Sequence, residues 1–289
     1  LSLNEEVEFG LNYQKPEVID NRIELGCLIQ NGNELKESPV YLDKADLDKH
    51  IFVSGVTGSG KTTTCQKILK KSEMPFLVIE PAKTEYRVMY REEKEIKIFT
   101  LGDNQTAPIA MNPLIFYPKE SITSRVDMIC ACIESAFDME AAIPQIIEQA
   151  LYKSYEEKGW NIYTNQNTRY RREECFDGSG KAFPTISDLI DNCEVVVNEQ
   201  GFDARLKNDY IGSIKARLLG LTSGEKGFLL NTNASIDFMD LLNHKVVFEL
   251  ENIRSGAEKS LIMGFILINL SEAIREKYQM DGKFQHITL

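Results

Sequence analysis

The sequence predicts an α/β domain with a mostly parallel sheet, which a helical insertion interrupts and a short β-rich segment precedes. Residues 76–79 (FLVI) and 245–250 (KVVFEL) are nearly continuous apolar runs, typical of parallel strands that are covered on both faces. Amphipathic helical patterns follow such runs, as in α/β proteins. From about residue 124 to residue 220 the pattern is mainly helical, which predicts the insertion.

Residues 1–45 are predicted to form short strands. Asn31-Gly32 separates two apolar runs, and this dipeptide favours the tight turn of a β-hairpin. Residues 50–54 (HIFVS) are predicted to form a buried strand that leads into a glycine-rich loop. The apolar spacing that follows predicts a helix over residues 61–71.

Later elements follow from the same kinds of signal. Ile143-Pro144 opens a predicted helix that Gly159 closes, and Thr185 with Asp188 resembles a capping box in which Asp replaces Glu. The other predicted elements are a strand over residues 95–99, a long polar loop or insertion over 160–183, a helix over 259–278 and a strand over 286–289.

These elements divide the chain into four predicted parts. They are a β-rich segment (1–45), the first part of the α/β core (46–138), the helical insertion (139–210) and the second part of the core (211–289). The chain begins with Leu and ends in a strand-like apolar stretch. We therefore expect it to be a fragment at both ends.

The composition is that of a globular protein, with 43% hydrophobic and 27% charged residues. The longest apolar run, residues 261–268, is shorter than the ~18 residues of a membrane span, so no membrane contact is expected. The six cysteines show no disulfide or metal-ligand spacing, which favours a reducing, cytoplasmic compartment. A net charge of −11 restricts any nucleic-acid contact to local loops, such as those lining the pore of a ring.

The chemistry of the chain is indicated by the stretch GVTGSGKTTT, which matches the P-loop pattern in full. Its glycines allow backbone N–H groups to turn inward around phosphates, and the N-terminus of the following helix adds partial positive charge. Lys61 is predicted to reach the β- and γ-phosphates, and the Thr62 hydroxyl is predicted to bind Mg²⁺. The predicted phosphate-binding residues are Gly55, Val56, Thr57, Gly58, Ser59, Gly60, Lys61, Thr62 and Thr63. The Asn-Lys-x-Asp motif of GTPases is absent, which favours ATP.

Four segments of the chain resemble the HerA/FtsK group of P-loop ATPases, which are hexameric motors that pump double-stranded DNA. They are residues 47–64 (LDKHIFVSGVTGSGKTTT), 77–87 (LVIEPAKTEYR), 111–114 (MNPL) and 246–250 (VVFEL) with the helix that follows. The resemblance implies a RecA-like core that uses ATP and Mg²⁺, and it suits residues 1–45 as the end of a small β-barrel. It also implies a homo-hexamer on double-stranded DNA that works with a nuclease or another effector.

The acidic residues of the site have alternative placements. Glu80 stands where the family often has Asp, and Glu85 belongs to the Glu-Tyr pair that follows; either carboxylate would orient Mg²⁺ or a water, or else cap a strand and solvate a loop. The resemblance implies that the Walker B acids lie beyond Leu289. By spacing alone, Glu249 and Glu251 are an alternative pair. Because Thr62 alone is a weak Mg²⁺ site, we expect residues 1–289 by themselves to hydrolyse almost no ATP.

Basic residues offer two kinds of phosphate contact. Arg254 and Lys259 follow the strand at 245–250, and Arg254 is the predicted arginine finger, supplied in trans to a neighbouring subunit. Arg217 is the competing candidate, and for each of these residues a solvated surface position is the alternative. Residues 168–172 (TRYRR) suit contact with a phosphate backbone, but two glutamates follow directly, which favours a locally neutral loop.

Two functions from different classes fit these observations. The leading hypothesis is an ATP-driven DNA translocase or helicase subunit of HerA type, acting in DNA end processing or anti-phage defence. The alternative is an ATP-binding oligomeric scaffold that presents an effector and translocates little. The complete P-loop favours the motor, and the acidic composition favours the scaffold.

Overall fold

The structure, a computed structural model, describes residues 20–103, 105, 108–139 and 142–289. The chain forms two compact units. Unit 1 comprises Leu1–Phe76 and Gln285–Ile287, and unit 2 comprises Leu77–Phe284 and Thr288–Leu289. The strand content predicted for residues 1–19 lies outside the described residues.

The described chain contains both strands and helices, with short 3₁₀ helices at Lys44–Asp48 and Leu219–Leu221. The strands are β1 Arg22–Gln30, β2 Asn33–Asp43, β3 Phe76–Glu80, β4 Lys97–Thr100, β5 Trp160–Asn161, β6 Gln166–Asn167, β7 Lys245–Glu249 and β8 Ile287–Thr288. The helices are α1 Lys61–Ser72, α2 Arg87–Glu92, α3 Ile122–Ala136, α4 Ile143–Glu157, α5 Arg172–Cys175, α6 Ile186–Glu199, α7 Ala204–Leu218, α8 Gly224–Leu230, α9 Phe238–Leu241 and α10 Gly256–Asp281.

Unit 1 contains the predicted hairpin, in which β1 and β2 pair antiparallel. Asn31 and Gly32 form its turn with φ values of 51° and 75°, and a two-residue turn of this kind requires positive φ at both positions. Helix α1 is linked to the hairpin by Lys67, whose Nζ donates to the carbonyl of Leu25 at 3.2 Å. The predictions of the hairpin and of α1 are confirmed.

The buried strand predicted over residues 50–54 is wrong. Within the described part of the chain no strand pairs with this stretch, and the side chains of Ile51 and Phe52 are 47% and 92% exposed. An apolar run becomes a strand only where another strand satisfies its backbone N–H and C=O groups. The apolar composition therefore predicted burial that this fold does not provide.

The main sheet has four strands in the spatial order β4-β7-β3-β8. β4 and β7 are parallel, with Lys97 opposite Val246. Leu289 N donates to Leu77 O at 2.9 Å and Ile79 N donates to Leu289 O at 2.7 Å, which is the alternation of a parallel pair. The predicted strands are confirmed, and β8 lies beside β3 at one edge of the sheet, whereas the described residues directly before the P-loop form no strand.

The helix boundaries follow the predicted capping signals. α4 has Pro144 in its first turn, and the chain leaves it through Gly159 at a φ of 92°. At the start of α6, Thr185 Oγ1 accepts from the N–H of Asp188, and Asp188 Oδ2 accepts from the N–H of Thr185 at 2.7 Å. The capping box with Asp in place of Glu is therefore confirmed.

Residues 160–183 are more ordered than the predicted polar loop. They contain β5, β6 and α5, and they bury the side chains of Trp160 and Phe183 against Phe116, with ring centroids 5.2 Å from Phe116 in both cases. Trp160 Nε1 donates to Ala182 O at 2.6 Å. The prediction missed this packing because a few aromatic rings outweigh many polar neighbours when they meet in one cluster.

A buried ion pair joins α3 to α10 inside unit 2. Arg125 and Glu272 are both fully buried, with 3.3 Å between Arg125 Nη1 and Glu272 Oε1. Arg125 Nη2 also donates to Asn269 Oδ1 at 2.7 Å and to the carbonyl of Ile115. Burial raises the pKa of Glu272 above its usual 4.5, and the positive charge of Arg125 opposes that rise.

Replacing Arg125 with Met should destabilise the fold by about 3–5 kcal/mol, because it removes the cation that pairs with a buried carboxylate. Loss of the arginine raises the pKa of Glu272 further. At a pH above the pKa that Glu272 has in the unfolded chain, the native state then binds more protons than the unfolded state. The stability of the variant should therefore fall as the pH rises from about 5 to about 7. Urea unfolding at the two pH values measures this. The double variant Arg125→Met, Glu272→Leu should recover most of the lost stability. An equal loss of unfolding free energy in the single and the double variant would contradict the ion-pair explanation.

Candidate nucleotide-binding site

The P-loop of unit 1 has the backbone that a phosphate requires. Gly58 and Gly60 have φ values of 81° and 90°, a region that other residues rarely adopt. A Cβ at Gly55 would clash with Ser59 Oγ unless the serine side chain rotated away. Helix α1 begins directly after Gly60, and no side chain caps its N-terminus. Its first N–H groups and positive helix dipole are therefore available to an anion.

Lys61 is held at the same loop. Its Nζ donates to the carbonyls of Gly55 at 2.8 Å and Val56 at 2.9 Å, which places the ammonium group over the loop. Thr62 follows in the first turn of α1 and is half-buried, whereas Thr63 is exposed. These residues fit a di- or triphosphate: the loop N–H groups and Lys61 would hold the phosphates, and the Thr62 hydroxyl would hold the Mg²⁺ that shields their charge.

The predicted catalytic carboxylates, Glu80 and Glu85, lie in unit 2 on either side of Lys83. Glu80 Oε1 accepts from the backbone N–H of Lys83 at 3.2 Å, and Glu85 Oε1 pairs with Lys83 Nζ at 2.7 Å. Burial raises the pKa of Glu80, while backbone N–H groups of the following loop oppose this rise. Both acids thus order the loop after β3, and both are partly buried.

Glu249, one of the alternative Walker B acids, is already bonded to Arg87. Its carboxylate is fully buried at the end of β7 and accepts three hydrogen bonds of 2.7–2.9 Å from the guanidinium of Arg87. The hydroxyl of Thr100, the last residue of β4, donates a further bond at 3.1 Å. With both oxygens engaged, this carboxylate is a poor ligand for Mg²⁺. Glu251, two residues further, is exposed.

Arg87 is the polar residue of this region that sequence reasoning missed. It stands in the segment LVIEPAKTEYR, directly after the Glu-Tyr pair, but its partner lies 162 residues away. The only available signal was its position beside that motif. The guanidinium bridges β7 and β4, since Arg87 Nη2 also donates to Thr100 Oγ1 at 2.9 Å.

The three basic candidates differ in how they are engaged. Arg217 donates to the carbonyls of Ser213 at 2.9 Å and Asp138 at 2.6 Å, and Lys259 Nζ donates to Pro81 O at 2.5 Å. Arg254 lies exposed between β7 and α10. Of the three, Arg254 therefore has the most exposed side chain, and Arg217 is bonded within unit 2.

Residues 168–172 pack on the protein surface and do not form a free basic loop. The guanidinium of Arg172 lies 5.7 Å from the ring centroid of Phe176 and bonds to the carbonyl of Pro118. Lys181 Nζ lies 5.3 Å from the ring centroid of Tyr170. The neutral, locally paired alternative for this stretch agrees with these contacts.

The described residues contain neither a membrane-spanning helix nor a cluster of metal ligands. None of the described helices has the length and apolarity that crossing a membrane requires. Among the same residues, no group of three or more His, Cys, Asp or Glu side chains forms a metal site.

Replacing Glu249 with Gln should lower the free energy of unfolding by about 1.5–3 kcal/mol, because the buried charge-assisted bonds to Arg87 are weakened. The matched control is Glu251→Gln, an exposed position two residues away, which should change stability by no more than about 0.5 kcal/mol. Chemical denaturation of both variants measures the difference. Equal stability of the two variants would show that the pair with Arg87 contributes nothing.

Comparisons with known proteins agree with this geometry. No curated protein matches the chain in sequence. Among solved structures, VirB4 of Thermoanaerobacter pseudethanolicus is similar, with a TM-score of 0.61 and 16% identity over 92% of this chain. The chain covers 66% of that VirB4 chain, and at this identity the likeness shows the fold alone. The family model described as helicase HerA, central domain, matches residues 23–270. The predicted resemblance is thus confirmed, and the chain belongs to the HerA central-domain family of P-loop ATPases.

Proposed function

We propose that this domain is the motor of an ATP-driven translocase or helicase for double-stranded DNA, and that it acts in the cytoplasm as a homo-hexamer with a nuclease or another effector. The observation that carries the proposal is the P-loop. Its two glycines at positive φ lead into an uncapped helix N-terminus, in a chain of the HerA family. DNA end processing and anti-phage defence are both settings in which such a motor would serve.

The site residues divide the work between binding and catalysis. Residues 55–63 bind the phosphates, with Lys61 at the β- and γ-phosphates and Thr62 at Mg²⁺. Glu80 and Glu85 order the loop after β3 and orient water near the nucleotide. Arg254 is supplied in trans, where a guanidinium stabilises the charge that develops on the transferred phosphoryl group.

The charge of the chain supports a motor that touches DNA at few points. A net charge of −11 opposes binding over a broad surface, whereas a ring contacts duplex DNA only through loops that line its pore. The compartment is supported by the spacing of the six cysteines, which matches no disulfide or metal-ligand pattern.

Replacing Lys61 with Ala should abolish ATP turnover in the full-length protein, because it removes the ammonium group that contacts the β- and γ-phosphates. Turnover of the unaltered protein should rise when duplex DNA is added, and the variant should show neither basal nor stimulated activity. The control is Lys71→Ala, an exposed lysine in the last turn of the same helix, which should behave as the unaltered protein. Turnover that ignores duplex DNA would favour the scaffold hypothesis over the motor.

Replacing Arg254 with Ala should reduce the rate of turnover by about 10³-fold or more and leave nucleotide affinity nearly unchanged, since a trans arginine acts in the transition state. Arg217→Ala is the matched control, because its guanidinium is bonded within its own subunit. Mixing Arg254→Ala with Lys61→Ala subunits should restore part of the activity at sites that combine two intact halves. If no mixture regains activity, Arg254 does not act across a subunit boundary.

A further inference from the structure

Unit 2 contains a pocket of about 430 Å³ that no residue assigned to the nucleotide site lines. Its wall is built from residues 115–118, the turn at 175–183, the segment 235–239 and one face of α10. The volume falls in the range of about 300–1,000 Å³ that small-molecule sites occupy. The pocket is therefore large enough for a ligand of its own.

One side of the pocket is aromatic and rigid. Phe116, Phe176 and Phe183 line it, and each pair of these rings has centroids 5.2–5.9 Å apart. The chain's single tryptophan, Trp160, packs behind them at 5.2 Å from Phe116 and 6.1 Å from Phe176. Ile236 contributes to the lining as well. Such a surface suits a flat or branched apolar body and offers ring faces that attract a cation.

The charged groups of the lining are carboxylates only. Asp237 and Glu276 line the pocket, and none of its lining residues is a lysine or an arginine. Asp237 Oδ1 accepts from the N–H of Met239 at 2.8 Å and lies 3.5 Å from the hydroxyl of Tyr117, while Oδ2 takes part in neither contact. Glu276 is 12% exposed, and its nearest cation is the ammonium of Lys119 at a long 3.8 Å.

The surroundings leave this negative charge in place. In the Arg125–Glu272 pair beneath the lining the two opposite charges cancel, and Arg275 on α10 pairs with Glu120 at 3.1 Å. Burial and the charge of Asp237 raise the pKa of Tyr117, so its phenol stays neutral and acts as a hydrogen-bonding group. An anion would meet two carboxylates here without a compensating cation in the lining.

We propose that this pocket binds a small organic cation with an apolar body, of the arylalkyl-ammonium class. The body lies against the aromatic wall, and the ammonium group lies between the carboxylates of Asp237 and Glu276. A ligand of this kind matches both the shape and the charge of the lining, and its site is distinct from the P-loop residues.

The test uses three probes that share one body and differ in charge: 3-phenylpropylammonium, 3-phenylpropanol and 3-phenylpropanoate. Trp160 fluorescence, excited where the probes do not absorb, reports binding because the tryptophan packs on two lining rings. The cation should bind tightest, the alcohol more weakly and the carboxylate weakest. No binding of the cation, or equal binding of all three probes, would overturn the proposal.

Three variants test which carboxylates attract the cation. Glu276→Gln and Asp237→Asn should each weaken binding of the cation about fivefold and leave binding of the alcohol unchanged. Asn at position 237 can still cap the N-terminus of α9, so this variant should keep the helix. The control is Asp281→Asn, an exposed carboxylate of α10 that pairs with Lys277 and does not line the pocket. If Asp281→Asn weakens the cation as much as Glu276→Gln does, the preference is a general effect of the acidic surface and the site is refuted. Should Asp237→Asn fail to fold, Glu276→Gln decides the question.

Discussion

The carboxyl edge of the main sheet depends on the pair formed by the buried carboxylate of Glu249 and the half-exposed guanidinium of Arg87. A carboxylate with no exposed surface is stable only when its charge is met by donors, and here a guanidinium supplies three bonds and Thr100 a fourth. The backbone supports the same junction, since Leu101 N donates to Glu249 O and Leu250 N donates to Glu80 O, both at 2.9 Å. The ends of β3, β4 and β7 are thereby fixed together, at the edge where α/β proteins place their chemistry.

This arrangement explains the division of acidic residues between structure and function. Glu249 is fully buried and is bonded within the sheet. Glu80 is half-buried and accepts a bond from the loop after β3, and Glu85 pairs with Lys83 in that loop. Glu80 and Glu85 are both partly exposed, so either is freer to meet a ligand than the fully buried Glu249. The same reasoning separates Arg217, which bonds within unit 2, from the exposed Arg254.

Buried polar residues also connect parts of unit 2 that are far apart in sequence. Arg125 on α3 meets Glu272 and Asn269 on α10, so the helix before the insertion is joined to the long helix after β7. The aromatic cluster around Phe116 then covers this junction and forms one wall of the acidic pocket. Packing of the insertion and formation of the pocket thus have a common origin in one set of side chains.

The sequence by itself determined the features that depend on neighbouring residues. The turn at Asn31-Gly32, the P-loop glycines and the capping box at Thr185 were all predictable, because each requires a particular φ or a hydrogen bond within a few residues. The main-sheet strands were predictable from continuous apolar runs, and the motif segments were sufficient to predict the family.

Only the tertiary structure decided the features that need a distant partner. The apolar stretch at residues 50–54 has no pairing strand in the described chain, so its composition misled the prediction. Arg87 and Glu249 are 162 residues apart, and neither has a local pattern that reveals the other. The aromatic rings within residues 160–183 were hidden among polar neighbours until folding brought them to Phe116. Local backbone geometry is encoded within a few residues, whereas burial and pairing depend on which surfaces the whole chain brings into contact.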